Sequence, residues 1–319
     1  MPASTELRLD ALSGHLAIVA AGRAARPHTV AHDAPERDAG PEHCPFCVGH
    51  ETMTPPEVCR TGDGAPETPG WRVRVVPNLY PIVGGDGAGP GATGAHEVVV
   101  LGPDHRRAFG VLDDDEAVEV LHVMRDRTAF HLRDGHAYAV ALLNHRRAAG
   151  ASIAHPHAQV VAIDFVPPEA YAADARATTA ADEGIDLLGA DLDDARQHGT
   201  VLFERDAAAW FPLAGGSPFV LRVGDPTAGS RFDQAADSLL DAIAITMRDA
   251  LGALGAALGD PPYNVTVHTA AADGTGPRRW YVEITPRLTV VAGFEMGTGV
   301  LVNTTPAERA VTLVRDGGP

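Results

Sequence analysis

Apolar and polar positions alternate in short runs along most of the chain, and two long stretches switch to helical spacing. LRLDAL, a Ser-Gly turn and LAIVA, within residues 5–27, predict a hairpin. WRVRVVPNLYP (71–81) predicts a strand stopped by Pro77 and Pro81, and HEVVVLGPDH (96–105) predicts a second, buried one. The glycine-rich stretch GGDGAGPGATG (84–94) between them reads as a flexible loop. From Asp113 to Arg133 acidic residues open the segment, basic residues follow and apolar positions recur at helical spacing, so this is a helix. AYAVALLN (137–144) is a strand whose expected partner is ASIAHPHAQVVAIDF (151–165).

The same order then returns. After an Ala- and Asp-rich helical stretch over 166–200, FVLRVGDPTAGSRF (219–232) resembles HEVVVLGPDHRRAF (96–109). A long helical segment (233–258) follows, then YNVTVHT and RWYVEITPRL (279–288), the latter in the place of HPHAQVVAIDF. A divergent tandem repeat is implied, with halves at 1–165 and 201–319 joined by a helical connector at 166–200. The expected fold class is α+β with mostly antiparallel sheet and packed helices, the two sheets joining edge to edge.

Composition narrows the function classes. The 319 residues are 45% hydrophobic, which is globular, and no run approaches the ~20 apolar residues of a membrane span. The N-terminal MPASTELRLD lacks the basic and apolar segments of a signal peptide, so a cytoplasmic protein is expected. A formal net charge of -17 argues against nucleic acid or anionic membrane as the main partner, while leaving room for a small anionic ligand at a local Arg/His cluster. Three cysteines, Cys44, Cys47 and Cys59, make no disulfide framework and fit a reducing compartment.

Candidate chemistry concentrates in two places. In a strand, His155, His157 and Gln159 would share one face, with Pro156 and Ala158 pointing the other way. The second copy carries Arg279, Tyr281 and Glu283 at those places, so only one half is expected to be reactive. Cys44-Pro-Phe-Cys47 has the spacing with which two thiolates grip one zinc. No strand–helix context favours a redox pair, and histidines to complete a tetrahedral site are available at His43, His50, His96, His105, His155 and His157.

HCPFCVGHE, VRVVPNLYP, HEVVVLGPDH, NHRRAAGASIAHPHAQ, DPPYNVTVH and VVAGFEMGTGVLVNTTPAE resemble, in order, the blocks of the galactose-1-phosphate uridylyltransferase family. That family belongs to the histidine triad superfamily and has the ADP-sugar phosphorylases as a branch; the resemblance runs from about residue 6 to residue 315. It implies two histidine-triad-like halves, the second degenerate. It implies one structural zinc on Cys44, Cys47, His105 and His155, with no open coordination position. It implies His157 as the nucleophile toward the α-phosphorus of a nucleoside diphosphate sugar, with a nucleotidyl-histidine intermediate. Gln159 and Ser152 would donate to the phosphoryl group, and Asn78 and Asn144 would hold the nucleotide and its phosphates. Glu295 resembles a residue that contacts sugar hydroxyls, and Arg23 and Arg26 resemble nucleotide-side arginines. The implied partners are a nucleotide sugar and either a sugar 1-phosphate or inorganic phosphate, with a homodimer completing the picture.

Departures from the family bear on specificity. The second half has no cysteine, Thr227 falls near one expected histidine and Arg279 replaces another, so a single zinc is expected. Asn78 is followed by Leu79, nearer the phosphorylase pattern than the uridylyltransferase one. Asn144 is followed by His145, Arg146 and Arg147, where relatives carry glycine at the middle position. Two arginines there would favour a compact anionic acceptor or merely balance local acidic charge. The first expectation is a nucleotidyltransferase working between a nucleotide sugar and a sugar 1-phosphate; an ADP-sugar phosphorylase and a non-catalytic nucleotide-binding protein are the alternatives.

Overall fold

The computed structural model describes residues 5–25, 38, 40–84 and 93–318, so Arg26 and most of the 84–94 glycine stretch lie outside the described residues. The predicted hairpin forms as β1 (Thr5–Leu9) and β2 (Leu16–Ala20), in register Thr5↔Ala20. In the first half follow β3 (Cys59–Gly62), β4 (Trp71–Pro77), β5 (Gly94–Val100), helix α1 (Asp114–Arg133), β6 (Tyr138–His145) and β7 (His157–Ile163). Helices α2 (Pro168–Asp182) and α3 (Leu187–Gln197) form the helical stretch that links the halves. The second half brings β8 (Val201–Glu204), β9 (Ala208–Trp210), β10 (Leu221–Gly224), α4 (Asp237–Leu258), β11 (Tyr263–His268) and β12 (Tyr281–Pro286). Helix α5 (Gly293–Thr298), β13 (Leu301–Asn303) and α6 (Ala307–Arg315) close the chain. The short strands β3, β8 and β9 carry too few alternating positions to have been predicted.

Ten strands form one sheet in the order β3-β4-β5-β7-β6-β11-β12-β10-β9-β8. This order is a palindrome of the two halves: β6 and β11 meet at the centre, antiparallel, with Leu142↔Thr266 and Asn144↔Asn264. Gln159 pairs with Leu142 as Glu283 pairs with Thr266, so the two copies share one register. The fold is therefore α+β, two like halves joined edge to edge, as the repeat implies.

Alternation along the strands sends Val75, Val99, Ala158, Val160, Val265, Val282 and Ile284 into one core. There they meet Leu121 and Met124 of α1 and Ile243, Met247 and Leu254 of α4. Helix α1 starts at a capping box in which the Glu116 carboxylate accepts the Asp113 N–H at 2.8 Å. Both long helices cover one face of the sheet; on the opposite face α3 packs against Trp210 and Tyr281 in the second half, while His157 and Gln159 line a cavity in the first. No helix among the described residues is long and apolar enough to cross a membrane.

Candidate active site and metal centre

Cys44, Cys47, His105 and His155 are all buried, and their ligand atoms lie within 4.8 Å of one another. Cys47 Sγ is 3.2 Å from His105 Nδ1 and 3.5 Å from His155 Nδ1, and Cys44 Sγ is 3.7 Å from His155 Nδ1. Tetrahedral zinc, with Zn–S near 2.3 Å and Zn–N near 2.0 Å, separates sulfur from nitrogen by about 3.5 Å. The donor set thus fits the ion in type, number and spacing. His155 Nε2 donates to the Gly102 carbonyl at 2.8 Å and His105 Nε2 to Asp38 Oδ1 at 2.8 Å, which turns both Nδ1 lone pairs toward the thiols. Burial and the Cys44 sulfur alongside push the Cys47 thiol up to about 12, a penalty that a divalent cation would remove.

His155 does not share a strand face with His157, contrary to the alternation reading. The ladder of β7 begins at His157, because Pro156 has no N–H to give. His155 lies just ahead of the strand, fully buried beside the cysteines. Pro156 instead accepts the Leu101 N–H at 3.2 Å. One residue of non-strand backbone thus separates a thiol-facing histidine from a cavity-facing one.

His157 lines a cavity of about 670 Å³ with Asn78, His96, Asn144, Ser152 and Gln159, against an apolar wall that includes Phe46, Val76, Leu142 and Val161. Its Nδ1 lies 2.9 Å from the His155 carbonyl and so must donate to it. Nε2 is left as the lone-pair nitrogen. Burial pushes the His157 pKa below its ordinary 6.5, with the hydrogen bond to His155 opposing, so the neutral ring prevails. Phe46, from the C-P-F-C turn, meets the imidazole edge-on with centroids 5.4 Å apart. The metal loop therefore also packs the candidate nucleophile.

The other sequence candidates divide. Asn144 accepts from Asn264 Nδ2 at 2.7 Å, across the junction of the halves. Asn78 accepts the Tyr80 N–H at 2.9 Å, and its Nδ2 lies 3.1 Å from His96 Nε2. Ser152 is exposed on the cavity rim. Arg146 and Arg147 are exposed and are not among the cavity's lining residues; Arg146 is paired with Asp260. Glu295 accepts the Ala292 N–H at 3.1 Å and lines a separate cavity with Arg222 and Glu283. Arg23 is exposed in the 3-10 turn after β2. His96, read from sequence only as one of several metal candidates, stands instead against Gln159 at 2.7 Å. Its parity with Val98 on β5 was the available signal, since both face the cavity.

A protein-family model described as "Domain of unknown function (DUF4921)" matches residues 103–315. ADP-glucose phosphorylase of Arabidopsis thaliana is 28% identical over 98% of this chain and 93% of its own length. A crystal structure of an ADP-glucose phosphorylase from the same organism, with bound ADP-glucose, superposes with a TM-score of 0.85 at 26% identity, covering 98% of this chain and 99% of that one. Galactose-1-phosphate uridylyltransferase of Streptomyces lividans is 31% identical over 35% of this chain and 30% of its own. With the ordered motifs and the paired halves, these likenesses establish that the chain belongs to the DUF4921 family and, more widely, to the galactose-1-phosphate uridylyltransferase family with its ADP-sugar phosphorylase branch.

Proposed function

We propose that the protein transfers a nucleoside monophosphate from a nucleotide sugar through a covalent intermediate on His157. The observation that carries this reading is the donation from His157 Nδ1 to the His155 carbonyl, at 2.9 Å, which leaves Nε2 as a lone pair on a cavity large enough for a nucleotide sugar. Nε2 bonds to the α-phosphorus as the bond from that phosphorus to the bridging oxygen breaks. The electron pair leaves with the sugar 1-phosphate, and the Nδ1 proton stays on the ring, held by the carbonyl. An acceptor oxygen then displaces the imidazole in the reverse sense. The apolar wall takes the base and ribose, the free NH₂ of Asn144 and the Ser152 hydroxyl face the phosphates, and Gln159 donates to the phosphoryl oxygens.

Cys44, Cys47, His105 and His155 hold a zinc ion that is structural, since four protein ligands leave it no open position. It fixes His155 and thereby the start of β7. Two acceptors fit the scheme, a sugar 1-phosphate and inorganic phosphate. The full-length likeness to ADP-glucose phosphorylase favours phosphate and an adenine donor. Arg146 lends that choice no support, since it is tied to Asp260. Glu295 lines a cavity other than that of His157, and its contact with the sugar from a second copy of the chain, in a homodimer, is part of this proposal.

Intact mass spectrometry after separate mixing with ADP-glucose, UDP-glucose and UDP-galactose tests it. A gain of one nucleoside monophosphate that is absent in His157→Ala confirms the nucleophile and identifies the base. No gain with any donor, from zinc-loaded and folded protein, overturns the reading.

A further inference from the structure

His96, on β5, is 7% exposed, and both of its ring nitrogens are committed. The backbone N–H of Ile82 donates to Nδ1 at 3.2 Å. A neutral imidazole carries a single proton, so that proton is on Nε2. Nε2 lies 2.7 Å from Gln159 Oε1, and an N–H there must meet an acceptor. If the Gln159 amide were turned over, its NH₂ would face a second donor at hydrogen-bond distance. The neighbouring Asn78 amide is fixed separately: its oxygen accepts the Tyr80 N–H at 2.9 Å, so its NH₂ faces the imidazole, 3.1 Å from Nε2 and 3.4 Å from Nδ1. With the proton on Nε2, that NH₂ donates to the Nδ1 lone pair beside the Ile82 N–H. Burial keeps His96 neutral, which preserves the single-proton logic.

We infer that His96 is a positioning residue that fixes the orientation of the Gln159 amide, so that the NH₂ and not the carbonyl is presented to a phosphoryl group beside His157. This rests on the proposed transfer reading for its consequence, though not for its geometry. The order of command runs from the Ile82 backbone N–H through the imidazole to the amide. Gln159 follows His157 by two residues on one strand face, so its NH₂ is directed at the same part of the cavity. An inverted amide would set a carbonyl oxygen against anionic phosphoryl oxygens, which is repulsive where the NH₂ is attractive.

The test compares His96→Gln with His96→Asn and His96→Phe, reading the rate of nucleotidyl-enzyme formation with ADP-glucose and UDP-glucose by quenched intact mass. A glutamine amide nitrogen reaches to where the imidazole Nε2 stands, whereas an asparagine amide stops near Nδ1 and offers Gln159 no donor. Formation should slow about 10-fold in His96→Asn and His96→Phe, the size of one misdirected hydrogen bond, and largely recover in His96→Gln. In a Gln159→Ala background the His96→Asn change should add no further loss. Equal rates in the Gln and Asn variants, or a full 10-fold loss retained without Gln159, would overturn the inference. An ¹⁵N-histidine NMR spectrum of the zinc-loaded protein reads the tautomer independently of activity. A protonated Nδ1 at His96 overturns the inference even if transfer is confirmed. Absence of any adduct in the unaltered protein, with the Nε2–H tautomer observed, overturns the transfer reading alone.

Discussion

Replacing Arg146 with glycine should make this protein more stable, although it deletes an ion pair. Arg146 has φ 66° and ψ 162°, a region that side-chain-bearing residues almost never occupy. Holding it there costs on the order of 1–3 kcal/mol. Against this stands the pair with Asp260, whose two side chains are 43% and 53% exposed, worth roughly 0.2–1 kcal/mol. Glycine also loosens the unfolded chain by about 0.4–1 kcal/mol. Central values leave Arg146→Gly ahead by about 0.5–1 kcal/mol. Arg146→Ala keeps the strain and loses the pair, so it should fall by about 0.5 kcal/mol. At about 2.1 cal/mol/K per residue, the 319 residues shift Tm by about 1.5 °C for each kcal/mol. Urea unfolding of both variants, with calorimetry as a check, decides the matter. At an ordinary position alanine is the more stable of the two by roughly 0.5–1 kcal/mol. Finding that order here would refute the strain argument. The loop matters for function because the Arg146 carbonyl accepts the Ala149 and Ala151 N–H groups, and so shapes the turn that presents Gly150 and Ser152 to the cavity.

Four further outcomes are expected. Chelation should lower the Tm of the zinc-loaded protein by several degrees and slow His157 nucleotidylation, whereas Cys47→Ser should start low and respond little; an unchanged Tm on chelation would remove the metal from the picture. Arg222→Ala should cost about 3–5 kcal/mol in urea unfolding, because Asp10, Asp191 and Glu283 are left around a fully buried vacancy, and a loss below about 1 kcal/mol would contradict the buried network. Gly110→Ala should cost about 1–3 kcal/mol, since its Cβ would come within 2.8 Å of the Gly252 backbone nitrogen on α4; a neutral result would mean that this crossing has slack. Asp10 has its pKa drawn below the ordinary 3.8, burial acting upward but Arg222 prevailing, so its contribution is full above about pH 4 and fades as pH falls. Acid denaturation of Asp10→Asn should therefore show a shallower fall below pH 4 than the unaltered chain, and parallel curves would argue against that coupling.

Much of the architecture was legible in one dimension. The capped helix from Asp114, the hairpin at the start and the recurrence of strand and helix order all follow from local chemistry and the period of apolar positions. The C-x-x-C spacing singled out two thiols and left six histidines open; His105 and His155 came from the family resemblance, and they are the two that the fold buries beside Cys44 and Cys47. Contact partners were not legible. Nothing local tells Arg146 that Asp260 lies opposite, or tells His96 that it meets Gln159, because those neighbours are 114 and 63 residues away in sequence. Alternation also failed where proline interrupted it: His155 and His157 are one residue apart, yet one faces sulfur and the other the cavity. The sequence by itself determined the longer helices and strands, the repeat and the candidate residue types, since these depend on interactions within a few residues. Only the tertiary structure decided proton positions, amide orientations and which arginines are already paired, because each is set by groups that come together when the two halves close into one sheet.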